Sequence, residues 1–271
     1  MVVAAGNDGD DNTSNGNPLA GNSAYDKLSG HGTAKNNLVV ANAQDAIINP
    51  DGSLNSVVIN SGSSEGPTDD YRIKPDITGN GTLLASSGED ADDSYIGLTG
   101  TSMASPNVAG TLLLLQEHYE NIHNIPMRAS TLKGLALHTA DDPNANGPDV
   151  VYGWGLLNAK KAAETITTAA ADGFAEVEEL TLNQGEVYTV NVQANGSEPL
   201  LASISWTDPA GAQNNGTNST TPALVNDLDL NLDNGAVFYP WRLTGVDTNS
   251  QNNGNNVDPF ERVDVTGASG L

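Results

Sequence analysis

The run Gly100-Thr101-Ser102-Met103-Ala104-Ser105-Pro106-Asn107-Val108-Ala109-Gly110 constrains this chain more than any other segment. Downstream, Val108, Leu112, Leu115 and Tyr119 recur near the 3.6-residue period of a helix with one apolar face. Leu113 and Leu114 add apolar positions off that stripe and predict burial on most sides. Proline lacks an amide hydrogen and is tolerated only near a helix start, so Pro106 places Ser102 at or just before the first turn. A serine set there by a tight Gly-Thr turn has an exposed hydroxyl. The backbone N–H groups and the positive end of the helix dipole lie where an oxyanion would develop. Ala104, Ala109 and Gly110 are small enough for the helix to pack closely on a sheet. Serine is also a common helix N-cap, and Ser102 taken alone would read that way.

The rest of the first half alternates strands and helices. Met1 to Ala5 is an apolar run stopped by the turn Gly6-Asn7-Asp8-Gly9. Residues 8–34 read as a surface loop, 37–43 as a buried strand and 57–59 as a short strand. An extended piece begins at Lys74-Pro75-Asp76-Ile77, and further helices are expected over about 130–139 and 158–163. This is the pattern of an α/β domain with a parallel sheet and flanking helices, assigned here to residues 1–172. Beyond it the helical period vanishes. Strand-like runs at 180–182, 186–192, 200–206, 228–232 and 262–265 are separated by Asn, Gly and Pro turns. Residues 173–271 are therefore expected to form an all-β sandwich or jelly roll, with truncation at its end expected from the last strand signal's closeness to Leu271.

Charge narrows the function classes. Asp and Glu number 34 against 10 Lys and Arg, a net charge of -24. A polyanion lacks the clustered cations that nucleic acid or an anionic membrane requires, and its natural counter-ions are cations such as calcium. Cysteine is absent, which excludes disulfides and thiolate metal sites. No apolar run approaches the ~18 residues of a membrane span.

The serine run resembles, almost letter for letter, the serine motif of the subtilisin-like serine peptidases. Ala4-Ala5-Gly6-Asn7-Asp8-Gly9 is similar to the segment of that family that carries its oxyanion asparagine. Lys74-Pro75-Asp76 and Tyr152-Gly153-Trp154-Gly155-Leu156-Leu157-Asn158-Ala159 are similar to two of its structural motifs. The resemblance implies an endopeptidase that cuts protein or peptide substrates through an acyl-enzyme on Ser102, needs no cofactor for the chemistry and works outside the cell. It implies that Asn7 donates to the oxyanion and that Ala4, Ala5, Gly6, Gly100 and Thr101 line the substrate site. For Asn7 alone a plain turn between strand and loop would suffice.

A serine hydroxyl needs a base, and the base needs a carboxylate to fix its tautomer. In this family both precede the asparagine, and only six residues lie before Asn7. The catalytic Asp and His are therefore expected to be missing, and the chain alone to be a nearly inactive fragment. His31, in Gly30-His31-Gly32-Thr33, resembles the family's His-Gly-Thr motif but follows Asn7 and is not trailed by the small-residue helix. It is expected to be a surface loop residue. His118 and His123 are expected to face solvent and His138 to be a satisfied helix-end histidine. Glu65 stands where many family members carry a neutral or basic residue. A competing reading is a binding or adhesion module that kept the scaffold without the chemistry. An esterase of another fold is disfavoured because no Gly-x-Ser-x-Gly elbow surrounds Ser102.

In the β module, Leu228, Leu230 and Leu232 alternate with Asp227, Asp229 and Asn231. This reads as a half-buried strand with a solvated polar face. The second reading makes Asp227 and Asp229 ligands of a structural calcium ion. The segment, with Trp206-Thr207-Asp208-Pro209 and Asn256-Val257-Asp258, resembles the jelly-roll domain that follows some alkaline subtilisin-like proteases, which implies a stabilising or orienting role.

Overall fold

The computed structural model describes every residue except 145, 146, 172–174, 195, 197, 214, 215 and 269–271. Its centre is a parallel sheet of β1 (Val2–Ala4), β2 (Leu38–Ala43) and β5 (Ile77–Asn80), in the order β1-β2-β5. β2 is buried at all six positions and apolar at every one but Asn42, as suits a central parallel strand. Its side chains alternate between two layers: Leu38 and Val40 join the main core, whereas Val39 packs with Ala5 and Leu28 on the other face. Two hairpins missed by pattern reading, β3 (Ile47–Ile48) with β4 (Leu54–Ser56) and β6 (Leu84–Ser87) with β7 (Tyr95–Leu98), stand outside this sheet. They are mostly exposed, so no apolar alternation marked them.

Helix α1 (Thr101–His123) lies on the sheet through Ala104, Val108, Leu112, Leu115 and Tyr119, the stripe read from sequence. Leu113 and Leu114 are not buried: they are 70% and 66% exposed, because no described element covers that side of the helix. Helices α2 (Ala129–His138) and α3 (Ala159–Ala171) complete the layer, α3 running well past its expected end. Gly153 presses against the entry to β5, and Gly155 against the segment after α2. A Cβ on Gly153 would stand 2.4 Å from the Pro75 carbonyl oxygen, and one on Gly155 2.3 Å from that of Asp141. The run they belong to closes β5's free side, with Trp154 N–H bonded to Asp76 O and Thr78 N–H to Gly155 O.

A buried ion cluster anchors the same region. Asp76 accepts from Lys133 at 2.9 Å, from the Val39 amide at 2.7 Å and from Lys74, whose ammonium also donates to Asn37 O. Burial pulls the Lys74 ammonium down to about 7, against the favourable charge of Asp76. Asp76 is itself fully buried, yet the two lysines hold its carboxyl below the usual carboxylate range.

After α3 come β8 (Leu200–Ser205), β9 (Leu232–Asp233), β10 (Val237–Phe238), β11 (Arg242–Leu243), β12 (Asn249–Ser250) and β13 (Phe260–Val265). They form three antiparallel pairs, β8–β13, β9–β10 and β11–β12. Among the described residues these pairs do not join into the two facing sheets of a jelly roll. The expected strands at 180–182 and 186–192 find no partner, and Leu182, Val187, Tyr188, Val190 and Val192 stay exposed. Strand 228–232 shrinks to β9, although burial still alternates along it.

β13 works on two faces. Phe260 belongs to the main core, edge-on to Trp154 at 4.9 Å, and the Arg262 guanidinium lies over the Trp154 ring at the same distance. Glu261, Val263 and Val265 face the other way, Val263 and Val265 into a small core with Leu200, Leu230, Leu232 and Phe238. Further polar ties join the two parts of the chain: Lys35 to Asp208, Asp258 to the Ile73 amide, and His138 Nδ1 to Ser203 at 2.9 Å.

Candidate active site

Gly100, not Ser102, is the N-cap of α1, and no side chain caps the helix. Ser102 is thus inside the first turn with its side chain exposed, which removes the capping explanation. Pro106 lies inside α1, in its second turn, and leaves the Ser102 carbonyl without the amide that would normally bond it.

Asn7 leaves the end of β1 and meets this turn. Its Oδ1 accepts from the Thr101 amide at 2.9 Å and from the Thr101 hydroxyl at 3.0 Å. Two donors on one oxygen fix the amide's orientation and leave Nδ2 as a donor with no described protein partner. Thr101 Oγ1 also receives the Gly6 amide at 3.2 Å, so one hydroxyl ties both residues of the turn to the helix. A Cβ on Gly100 would come within 3.3 Å of the Asn7 carboxamide, which is why glycine stands there.

The turn is held from behind by the 61–66 loop. Ser64 Oγ accepts from the Asp8 amide at 3.0 Å, Ser64 N–H donates to Gly6 O, and Gly9 N–H donates to Gly62 O. Gly6 has φ +117, and a Cβ there would strike Ser64 Oγ at 2.7 Å, so the position requires glycine twice over. Lys27, almost fully buried, donates to Gly9 O and pairs with Glu65 at 3.2 Å. Burial raises the Glu65 carboxyl despite that partner. Glu65 therefore braces the turn through Lys27, a role its position in the sequence did not disclose.

A groove of about 420 Å³ runs between residues 2–6, the 3-10 turn Gly30–Thr33 and the start of α1. Ala4, Ala5, Gly6, His31, Ser102 and Ser105 are among its lining. His31 is exposed, as the sequence indicated, but it also walls this groove, which the sequence did not indicate. Neither it nor any other described imidazole or carboxylate makes a hydrogen bond to the Ser102 hydroxyl. His118 is half-buried and bonds Thr167 Oγ1 at 2.9 Å, and His123 is exposed and stacks on Tyr119. Burial, aided by Arg262, holds His138 down at about 4, a neutral helix-end histidine.

Asp227 and Asp229 lie far along the chain from this groove, exposed beside the small core. Among the described residues no three His, Asp or Glu side chains already meet as a metal cluster.

The sequence model of the subtilase family matches residues 1–155, more than half of the chain. This chain belongs to the subtilase family of serine peptidases. It is similar to the PI-type proteinase of Lactococcus lactis subsp. cremoris, at 31% identity over 65% of this chain and 9% of that protein. It is also similar to the C5a peptidase of Streptococcus pyogenes, at 36% identity over 37% of this chain and 9% of that protein. This subtilase chain thus spans less than a tenth of the length of those curated relatives. Among solved structures, the self-cleaved protease domain of PatA aligns at 20% identity with a TM-score of 0.45, covering 61% of this chain and 49% of that one. No helix among the described residues is long and apolar enough to cross a membrane.

Proposed function

We propose that residues 1–172 carry the nucleophile and the oxyanion site of a serine endopeptidase that acts on protein or peptide chains outside the cell. The observation that supports this most is the double hydrogen bond from Thr101 to Asn7 Oδ1, which turns Nδ2 outward beside the serine-bearing helix turn. Ser102 Oγ attacks the scissile carbonyl and gives its proton to an imidazole. The carbonyl oxygen gains the charge and is held by Asn7 Nδ2–H and the Ser102 backbone N–H at the helix start. Collapse of this intermediate releases the amine, protonated by the imidazolium, and leaves an acyl-enzyme on Ser102. Water, deprotonated by the same imidazole, then frees the acid. Residues 4–6 line the acyl side of the substrate, whereas Gly100 and Thr101, read from the resemblance as lining it too, are buried behind the turn and leave the groove to their neighbours.

In this reading the imidazole and its orienting aspartate come from polypeptide outside these 271 residues. The strands after 172, paired two by two, steady the peptidase through β13. A serine-directed phosphonate provides the test. The chain joined to, or mixed with, an upstream segment bearing Asp and His should label at Ser102 and cleave peptides, whereas the chain alone should do neither at a measurable rate. Failure of the completed protein to label or cleave would leave the scaffold as a non-catalytic binding or adhesion module.

A further inference from the structure

The hairpin β6–β7 leads straight into the serine turn. Gly81 O accepts the Gly100 amide at 2.9 Å and Leu83 N–H donates to Thr99 Oγ1 at 2.9 Å, so the hairpin's base is tied to the residues just before Ser102. Opposed residues of an antiparallel pair share a face, and the register Ala85↔Gly97 and Ser87↔Tyr95 puts these four together. All four are exposed, whereas Leu84, Ser86 and Leu98 on the other face are half-buried. A Cβ on Gly97 would meet nothing within 4 Å, so this face is an open floor of small residues from which Tyr95 rises, 79% exposed. At the base Leu83 is 77% exposed and has φ +55, a left-handed backbone that is costly for leucine and here gains it no packing. The tip carries Glu89, Asp90, Asp92 and Asp93, all exposed and in no ion pair with a described residue. No lysine or arginine occurs between Lys74 and Arg128 to answer them. Like charges on one turn repel, and the fold draws nothing from these four.

We propose that the Tyr95 face of this hairpin is a docking surface for a basic, arginine-bearing stretch of the polypeptide substrate. The inference rests on the endopeptidase reading of Ser102 and adds to it the chemistry of the chain that is cut. No residue of the hairpin lines the groove, so the stretch it holds lies beyond the part of the substrate seated there. An arginine guanidinium stacks on the Tyr95 ring and turns its N–H fork to the tip carboxylates, while its aliphatic stem covers the floor of Ala85 and Gly97. An acidic stretch would be repelled by the same four carboxylates. The net charge of -24 draws any cationic chain toward the protein, and the exposed ring decides where it settles.

The experiment is binding of a fluorescein-labelled, arginine-rich peptide to the full chain, read by anisotropy, beside the same peptide with glutamine for arginine. It is run at about 0.15 M salt, where exposed charges more than about 8 Å apart are largely screened. The arginine peptide should bind about tenfold more tightly than the glutamine one. Tyr95→Ser should weaken it about fivefold, and Asp92→Asn with Asp93→Asn about threefold. All three side chains are exposed, so these variants should fold. Glu117→Gln with Glu120→Gln, on the exposed side of α1, removes the same charge elsewhere and should leave binding unchanged. Equal losses from the two double variants, no loss in Tyr95→Ser, or equal binding of the two peptides would overturn the proposal. In the completed peptidase, Tyr95→Ser should raise KM for a basic polypeptide and spare a short neutral peptide. Binding that depends on Tyr95 without cleavage would uphold the surface and sink the endopeptidase reading, whereas cleavage of the basic substrate indifferent to Tyr95 would do the reverse.

Discussion

Thr101 holds Asn7 by two hydrogen bonds to one oxygen, 2.9 Å from its amide and 3.0 Å from its hydroxyl. The side chain that is to stabilise an oxyanion is therefore oriented by the residue next to the nucleophile. Thr101→Val removes the hydroxyl bond and keeps the amide bond and the shape. In the completed peptidase it should lower kcat on the order of tenfold, about 1.4 kcal/mol, with KM little changed. Asn7→Ala should cost about 10²–10³, a magnitude measured on subtilisin itself. A Thr101→Val enzyme with normal kcat would show that Asn7 needs no such hold.

His31 offers a sharp contrast. It walls the groove but forms no bond to Ser102, so His31→Ala should change peptide preference and KM by a few-fold and leave phosphonate labelling of Ser102 intact in the completed protein. Loss of labelling by about 10³ or more, the scale of removing a base, would make His31 the proton acceptor instead.

Asp76 pairs with two lysines, the buried Lys74 and the half-buried Lys133. Asp76→Asn strands both ammonium groups and should destabilise the fold by about 3–5 kcal/mol, read as a lowered urea midpoint with unchanged slope. Because its folded carboxyl titrates below the unfolded value, the stability it contributes is complete above the unfolded pKa and is lost as pH falls through the folded one.

Asp258 behaves in the opposite sense. Burial raises its carboxyl to about 6, against the bonds from Asn255 and Ile73 and the charges of Arg72 and Lys74. A raised folded pKa gives stability that is complete below the unfolded value of 3.8 and lost as pH rises through about 6. The difference in unfolding free energy between the parent and Asp258→Asn should therefore shift against the parent from pH 4 to pH 6.5. A flat difference curve across that window would count against this assignment.

Phe260 couples the β module to the first half of the chain. Phe260→Ala should cost about 3–5 kcal/mol, and tryptophan fluorescence and far-UV circular dichroism should still lose structure together. Separate transitions would mean that the module unfolds on its own.

The serine motif, the asparagine turn and the α1 stripe were legible because each is set by local chemistry: small residues, a turn and a period. Pairing between distant segments was not. Residues 186–192 alternate as a strand should, yet a strand exists only where another offers its free N–H and C=O groups, and none of the described segments does so here. Leu113 and Leu114 look like core residues for the same reason, since hydrophobicity states a preference and neighbours decide it. Glu65 and Glu261 were hidden more deeply. Each is a single acidic letter whose meaning lies in what packs around it: Lys27 and the asparagine turn for one, the Leu230 amide and an apolar core for the other.

β13 fastens two bodies with one strand, even-numbered side chains toward Trp154 and odd-numbered ones toward the small core. A slip of one position would drive Arg262 and Asp264 into the apolar pocket and turn Glu261 against the indole, so this zipper tolerates no alternative register. It also makes the loop of residues 251–259 the seam of the molecule. A single proteolytic nick there that let β13 peel away would open both cores at once, which would tie the lifetime of the serine site to a segment about 150 residues away from it in the chain.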